Sequence, residues 1–271
     1  MRVHVWGCRG SLATPGEAAA AYGGNTSCVE VRTASGRTIV LDAGTGIRPL
    51  GLTLGSDVRE IDVLLTHMHL DHVEGLGFFA PLFDEGRTIR FWGPRPGEHT
   101  LAEQVALYLS PPFFPLPFER FGMSFEFNEV WEDSWSLDGV QITTAPVRHP
   151  GPTVGYRLEE GGRSLAYIPD NELGLEADAG SELAQGADVL LHDAQYTRSE
   201  YDARVGWGHS ALDDFSGYVA RAQPGRALMF HHDPTHDSAG LEQMLAEARE
   251  HAGGVQVDLA TEGMDFELGL D

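Results

Sequence analysis

The chain has 271 residues, 42% of them hydrophobic, and 41 acidic against 18 basic residues give a net charge of −23 with histidine neutral. At roughly 150 residues per domain this length allows two domains at most, and we expect a single domain over residues 1–271. A field this negative repels a long polyphosphate backbone, which disfavours binding of large nucleic acids.

The first residues, MRVHVWGCRGS, enter a strand pattern directly and lack the basic and apolar regions of a signal peptide. No run approaches the roughly 18 apolar residues that a membrane-spanning helix needs. We therefore expect a cytoplasmic protein without a membrane partner. Cys8 and Cys28 lack the paired spacing of a zinc or redox motif, so we expect both to be buried small hydrophobic residues.

Short β-branched or apolar runs, bounded by Gly, Asn, Asp and Pro, predict strands along the whole chain. In order, they lie at residues 3–5, 29–31, 39–41, 63–65, 89–92, 125–127, 140–143, 154–158, 164–168, 189–191, 227–230 and 255–259. Apolar residues at helical spacing predict helices at 101–109, 212–221 and 241–251, where Asp213 or Ser238 could start a helix. Strands interleaved with helices are typical of an α/β fold in which helices cover sheets.

Residues 110–121, SPPFFPLPFERF, hold four prolines and four phenylalanines. Because proline is excluded from central strands and helix interiors, this segment predicts an ordered loop insertion. Two interpretations stay open: aromatic side chains that plug into the core, or an apolar wall over a substrate pocket or a subunit contact.

Four of the chain's potential metal ligands lie within six residues, directly after the predicted strand at 63–65. Strand alternation places His67 and His69 on one side, and the following turn can bring Asp71 and His72 around a second centre. Imidazole and carboxylate together suit zinc or another divalent ion. Two such ions roughly 4 Å apart can clamp the attacking and leaving oxygens of a hydrolysis reaction.

Residues 66–72, THMHLDH, resemble the HxHxDH signature of the metallo-β-lactamase superfamily. The resemblance implies an αββα sandwich of the metallo-β-lactamase type with two metals at one sheet edge, zinc foremost and manganese or iron as alternatives. It also implies the ligands: His67, His69 and His149 for the first metal, Asp71, His72 and His231 for the second, and Asp170 as the bridge. His232, next to His231, is the alternative for the last position.

The earlier run Asp42-Ala-Gly-Thr-Gly resembles the superfamily's loop beneath the metal site, which helps to orient the ligands. Leu70 stands where the flavodiiron proteins of the superfamily have a glutamate ligand, so redox di-iron chemistry is disfavoured. Asp71, together with the absence of a cysteine in a later ligand position, disfavours the metallo-β-lactamases that use a cysteine ligand.

The runs VLLHDAQ at 189–195 and Gly208-His209-Ser210 resemble a pair of motifs in the ribonuclease Z branch. The resemblance implies that His209 protonates the leaving oxygen of a phosphodiester and that Asp193 is its partner, with Asp71 as the third catalytic candidate. A positioned imidazolium can donate a proton as the P–O bond breaks, and an adjacent carboxylate favours its charged form. A capping role for His209 is the alternative, and for His192 we expect a structural role.

The motifs GCRGS at 7–11 and YGGNTSC at 22–28 resemble those of superfamily enzymes acting on cyclic nucleotides or cyclic ribose phosphates. Glycine loops permit close approach to an anion, where Asn25, Thr26 or Ser27 could supply donors. Arg9 could pair with a phosphate. The alternative for these motifs is a tight hairpin in which Arg9 makes a structural salt bridge. The long basic, glycine-rich arm of ribonuclease Z has no counterpart, since residues 78–123 are rich in proline and aromatic residues.

These features together predict a dinuclear metal-dependent hydrolase, a phosphodiesterase whose substrate is a small phosphodiester, a cyclic nucleotide or cyclic ribose phosphate. The metals would neutralise phosphate oxygens while His209 protonates the departing oxygen. The alternatives are a ribonuclease Z-like tRNA 3′ endonuclease and a lactone, ester or β-lactam hydrolase on the same fold. The full ligand set disfavours a non-enzymatic binding module. Related enzymes are often homodimers, so a homodimer stays open.

Overall fold

The computed structural model describes residues 1–95, 97–121, 124–174 and 180–269. Residues 96, 122–123, 175–179 and 270–271 of the predicted domain lie outside this part. Within it, the strands are β1 (Arg2–Gly7), β2 (Cys28–Arg32), β3 (Thr38–Leu41), β4 (Glu60–Leu64), β5 (Thr88–Pro94), β6 (Ser124–Val130), β7 (Ser134–Leu137), β8 (Val140–Pro146), β9 (Val154–Glu160), β10 (Arg163–Ile168), β11 (Val189–Asp193), β12 (Arg226–Phe230), β13 (Gln256–Leu259) and β14 (Asp265–Glu267).

The helices of the described residues include the three predicted ones, with ends displaced by up to three residues. In order, the α-helices are α1 (Ile47–Thr53), α2 (Leu70–Val73), α3 (Leu101–Tyr108), α4 (Ser181–Ala184), α5 (Arg198–Tyr201), α6 (Leu212–Ala222) and α7 (Ser238–His251). Short 3₁₀ helices lie at Glu17–Ala19, Leu76–Phe78, Ala80–Phe83 and Phe118–Arg120. Helix α7 begins at Ser238, as predicted, because the Asp237 side chain accepts the Gly240 N–H. Helix α6 begins at Leu212, one residue before Asp213.

The strands form two mixed seven-stranded sheets. Their orders are β14-β1-β2-β3-β4-β5-β6 and β13-β12-β11-β10-β9-β8-β7. Strands β3 to β6 run parallel in the first sheet, and β10 to β13 run parallel in the second. Parallel strands end at the same edge, so the loops that follow them collect on one side of the molecule.

Side-chain alternation along the strands builds three layers of core. Leu41 and Leu191 point into the core between the sheets. Val40, one residue from Leu41, packs with α1 and α3 outside the first sheet, and Leu190 packs with α6 and α7 outside the second. The resulting order of helices, sheet, sheet and helices is the predicted αββα sandwich, which is confirmed.

The proline- and phenylalanine-rich segment packs most of its aromatic side chains into the core, as the first interpretation predicts. Phe114, Phe118 and Phe121 pack against the core outside the first sheet. Phe113 instead is exposed and lines a surface cavity with residues of α3. Cys8 and Cys28 are free and buried, as expected. Within the described residues, no helix is long and apolar enough to cross a membrane.

Candidate metal centre and active site

Seven of the predicted site residues lie beyond the carboxyl ends of strands from both sheets, two of them, Asp71 and His72, in the short helix α2 and the others in loops. His67, His69, Asp71 and His72 follow β4, and His149 follows β8. Asp170 follows β10, and His231 follows β12. The structure brings all seven together in two groups whose ligand atoms lie within 4.8 Å of one another, joined by Asp170.

The first group is His67, His69 and His149. The Nδ1 of His69 and the Nε2 of His149 lie 2.9 Å apart. His149 donates its Nδ1–H to the carbonyl oxygen of Gly208 at 2.9 Å, and His67 donates its own to Thr66 Oγ1 at 3.1 Å. Each of these bonds fixes the tautomer that leaves an Nε2 lone pair facing the group, which is how metal-binding histidines are oriented.

The second group is Asp71, His72 and His231. Asp71 Oδ2 lies 3.0 Å from the Nε2 of His231 and 3.4 Å from that of His72. His72 donates its Nδ1–H to Asp42 Oδ2 at 2.7 Å, and His231 donates its own to Gln195 Oε1 at 2.8 Å. All three side chains are therefore held with ligand atoms turned to one point.

Asp170 lies between the two groups and is buried. Its Oδ1 is 3.2 Å from His72 Nε2 and 3.3 Å from His231 Nε2, and its Oδ2 is 3.7 Å from the Nε2 atoms of His67 and His149. Asp170 Oδ1 and His67 Nε2 are buried without a hydrogen-bond partner among the described residues. Buried polar atoms rarely stay unpaired, and these two belong to nitrogen- and carboxylate-rich groups, so the residues fit a pair of divalent cations.

The electrostatics of the two groups differ. Burial lowers the pKa of His149 to about 4, and burial with the charge of His72 holds the pKa of His67 well below its usual value. Burial also disfavours charge on His72, but Asp170, Asp71 and Asp42 raise its pKa well above the usual value. The first group is thus neutral imidazole, while the second concentrates carboxylates that favour a cation.

His209 and Asp193 form a third element beside these groups. His209 donates its Nδ1–H to Asp193 Oδ2 at 2.9 Å, and its ring stacks on that of His231 at 4.9 Å between centroids. Burial lowers the pKa of His209, but the Asp193 charge outweighs it and raises the pKa to about 9. Asp193 is fixed in turn by the backbone N–H groups of Gln195 and Asn171.

The neighbouring histidines lie apart from the two groups. His232 faces the Ala260 carbonyl oxygen at 2.8 Å, and burial lowers its pKa to about 3. His231, next to the strand, is therefore the residue that reaches the candidate metal centre. His192 is buried and hydrogen bonds to the backbone oxygen of Asp193 at 2.7 Å, in keeping with the expected structural role.

The prediction of a phosphate or carboxylate partner for Arg9 is wrong. Arg9 is fully buried and donates to the carbonyl oxygens of Gly23, Asp233 and His236. It ties three loops together, and no carboxylate of the described residues forms an ion pair with it. Next to it, Gly10 permits the close approach of the His231 ring, because a Cβ would lie 2.3 Å from His231 Nδ1.

The YGGNTSC loop is also engaged internally. Asn25 donates to Glu262 at 2.7 Å, and Thr26 Oγ1 donates to Glu74 at 3.2 Å. Ser27 is buried. Because folding uses or encloses these side chains, the arrangement disfavours the anion-binding role considered for Asn25, Thr26 and Ser27.

Two positioning residues escaped the sequence analysis. Gln195 orients His231, and buried Glu172 accepts N–H bonds from Gly206 at 2.6 Å and Gly208 at 3.0 Å. Glu172 thereby anchors the loop before His209.

Gly208, with φ of 92°, must be glycine because a Cβ would lie 2.2 Å from His149 Nδ1. Asp42 holds His72, Thr66 and the Tyr167 hydroxyl, as expected for the loop beneath the site.

Comparisons with known proteins show which family and which solved structures the chain is similar to. A protein-family model described as a β-lactamase superfamily domain matches residues 37–232. The ribonuclease Z of Mycolicibacterium paratuberculosis is 30% identical over 251 residues, covering 83% of this chain and 86% of that protein. Two solved structures share the fold over nearly their whole length. The metallo-β-lactamase fold protein YhfI from Bacillus subtilis has a TM-score of 0.73 at 17% identity and 98% coverage of both chains. The short form of human tRNase Z has a TM-score of 0.72 at 18% identity and 100% coverage of both.

Proposed function

The chain belongs to the β-lactamase superfamily, and on that premise we propose that it is a dinuclear phosphodiesterase whose substrate is a small phosphodiester, a cyclic nucleotide or cyclic ribose phosphate. Its family membership makes it a metal-dependent hydrolase. The bond it breaks, the size of its substrate and the roles of its residues are the content of the proposal.

The two candidate groups would each hold one divalent ion, with Asp170 shared between them. When bound, two such ions supply the positive charge that neutralises phosphate oxygens and the Lewis acidity that activates water. His67, His69 and His149 would hold one ion, and Asp71, His72 and His231 the other. Asp42, Gln195 and the Gly208 carbonyl keep three of these histidines in the required tautomer.

His209 supplies the proton that the leaving oxygen needs. In hydrolysis, the water oxygen forms a bond to phosphorus, the bond from phosphorus to the leaving oxygen breaks, and that oxygen takes up a proton. With a pKa raised to about 9 by Asp193, His209 carries this proton at neutral pH. A cyclic diester thereby opens to a single phosphomonoester that carries the freed hydroxyl, whereas a linear diester gives a phosphomonoester and a separate alcohol.

The observation that carries the proposal is the His209–Asp193 pair beside both metal groups. An alkoxide leaving from phosphorus is strongly basic, so a charged donor at this place lowers the barrier. Hydrolysis of a lactone, an ester or a β-lactam by the same metals has less need of a proton donor such as the His209–Asp193 pair. The pair therefore favours phosphodiester chemistry.

Charge supports a small substrate. Long nucleic acids bind through several Lys or Arg contacts to phosphates. Of the four arginines among the described residues of 78–123, Arg87, Arg90 and Arg95 are each paired with a carboxylate. Two bound divalent ions would add positive charge where a single phosphate docks, leaving the rest of a polyanion unsupported.

The second candidate is a tRNA 3′ endonuclease, which the 30% identity to a mycobacterial ribonuclease Z favours. It would use the same metals and the same proton donor on a larger substrate. The two candidates differ in the surface outside the centre, where this chain has paired arginines and a net charge of −23.

The test of the chemistry is a panel of substrates given to the purified, metal-replete protein. We expect hydrolysis of bis(p-nitrophenyl) phosphate and of cyclic nucleotides, with lactones and a chromogenic β-lactam cleaved far more slowly. The His209→Ala variant should lose activity on cyclic nucleotides and keep its metals. Preferred cleavage of lactone or β-lactam, unaffected by this substitution, would contradict the proposal.

A further inference from the structure

A groove of apolar side chains runs from the candidate metal centre across the surface of α3. Beside the centre, a cavity of about 180 Å³ is lined by His67, His69 and Pro150, together with Met68 and Gln104. Met68 and Gln104 also line a second cavity, of about 250 Å³. The two cavities are therefore neighbours on one continuous surface. We call the second one the apolar groove, formed by Met68, Leu70, Val73, Leu107, Tyr108 and Phe113.

The apolar groove is exposed and carries no charge. Leu70, Leu107 and Phe113 are 65%, 60% and 68% exposed, which is unusual for large apolar side chains gathered in one place. Among the described residues, no Asp, Glu, Lys or Arg lines either cavity, although such residues make up 22% of the chain. The groove cannot offer a second phosphate an ion pair, but it can shield an uncharged group from water.

We propose that the apolar groove binds an uncharged apolar or aromatic substituent of the same phosphodiester whose phosphate lies at the metal centre. This inference rests on the proposed function and narrows its substrate class. The cavity lined by His67 and His69 is also lined by Met68 and Gln104, and these two residues line the groove as well. A substituent of a diester whose phosphate lies at the metal centre can therefore extend into the groove. The groove volume of about 250 Å³ suits a group of several heavy atoms, since one water molecule takes up about 30 Å³ in the liquid.

The first test compares two diesters that differ only in the retained substituent, phenyl p-nitrophenyl phosphate and methyl p-nitrophenyl phosphate. Both carry one negative charge and release the same nitrophenolate. We expect the wild-type protein to prefer the phenyl diester in kcat/KM by about tenfold or more. Leu107→Gln combined with Phe113→Ser should lower this ratio severalfold, because the phenyl diester loses its contacts in the groove.

The control is Leu52→Gln, which changes a leucine that is 68% exposed on α1 and lies outside the groove. It should leave the ratio as in wild type. A ratio that survives the double substitution contradicts the proposal. If light scattering also shows a wild-type dimer that the double variant loses, the groove is instead a contact between two copies of the chain.

A binding measurement separates this inference from the proposed function. Calorimetric titration of the zinc-loaded protein with phenylphosphonate and methylphosphonate should show about tenfold tighter binding of the phenyl compound. The double variant should bind both equally. If neither diester is hydrolysed but this difference is found, the proposed function is wrong and the groove stands. Equal affinities in the wild-type protein would overturn the groove.

Discussion

Replacing Asp193 by asparagine should shift the pH dependence of turnover, because it removes the charge that keeps His209 protonated. The Asp193 carboxylate lies 2.9 Å from His209 Nδ1 and raises the His209 pKa to about 9. Without this charge, the pKa of His209 should fall toward the ordinary value of about 6.5, because burial disfavours the charged ring and only the more weakly acting Asp170 and Asp71 carboxylates still favour it.

The size of the effect follows from these two values. At pH 7.5, a group with a pKa of about 9 is about 97% protonated, while one with a pKa of about 6.5 is about 9% protonated. The loss of proton donor is thus about tenfold at pH 7.5 and becomes smaller as the pH falls. The alkaline limb of kcat should move down by about two pH units or more, since activity is lost as the pH rises through the His209 pKa.

The assay is a pH profile of kcat for a cyclic nucleotide, which has a poor leaving group, and for bis(p-nitrophenyl) phosphate, which needs little protonation. Asp188→Asn is the matched control, because Asp188 precedes β11 at its amino end while Asp193 lies at the carboxyl end. Metal content, measured alongside, should stay at the wild-type value. An alkaline limb that does not move, or equal losses on both substrates, would refute the role given to this pair.

Three further substitutions test the centre. His209→Ala should lower the turnover of cyclic nucleotides by about two to four orders of magnitude while the metals are retained. The turnover of nitrophenyl diesters should fall much less, and equal losses on both substrates in steady-state assays would show that His209 is not the acid. Asp170→Ala should lose metal as well as activity, and elemental analysis finding two ions per chain in this variant would contradict the bridging role. Gly208→Ala should displace His149 and lower the metal content, because the new Cβ would lie 2.2 Å from Nδ1. Gly206→Ala, also at positive φ but with open space around it, should keep both metals, and an equal metal loss in the two glycine variants would point to backbone strain instead.

The strands and the signature cluster could be predicted because their signals are local. Runs such as 189–191 and 227–230 are apolar along their whole length, as expected of strands buried on both faces. The spacing of His67, His69, Asp71 and His72 sets their directions at the end of one strand. Strands β7 and β14 were missed because they are short and alternate exposed with partly buried residues.

Two supporting residues, Gln195 and Glu172, could not be predicted, because their partners are distant in the chain. Gln195 meets His231 from 36 residues away, and Glu172 reaches Gly208 across the same separation. A single polar residue after a strand carries no sign of such a partner. For Arg9, the sequence suggested a role that the structure does not support. An arginine near glycines suggests an anion site, but the carbonyl oxygens that Arg9 contacts come from distant parts of the chain.

The central claim is that the substrate is a small phosphodiester, and one comparison tests it most directly. The values of kcat/KM for 2′,3′- and 3′,5′-cyclic nucleotides and for precursor tRNA would be measured on the same metal-replete preparation at physiological salt. The account predicts efficient hydrolysis of at least one cyclic nucleotide, with precursor tRNA cleaved poorly or not at all. Efficient processing of precursor tRNA with all cyclic nucleotides untouched would contradict it and identify the protein as a tRNA 3′ endonuclease.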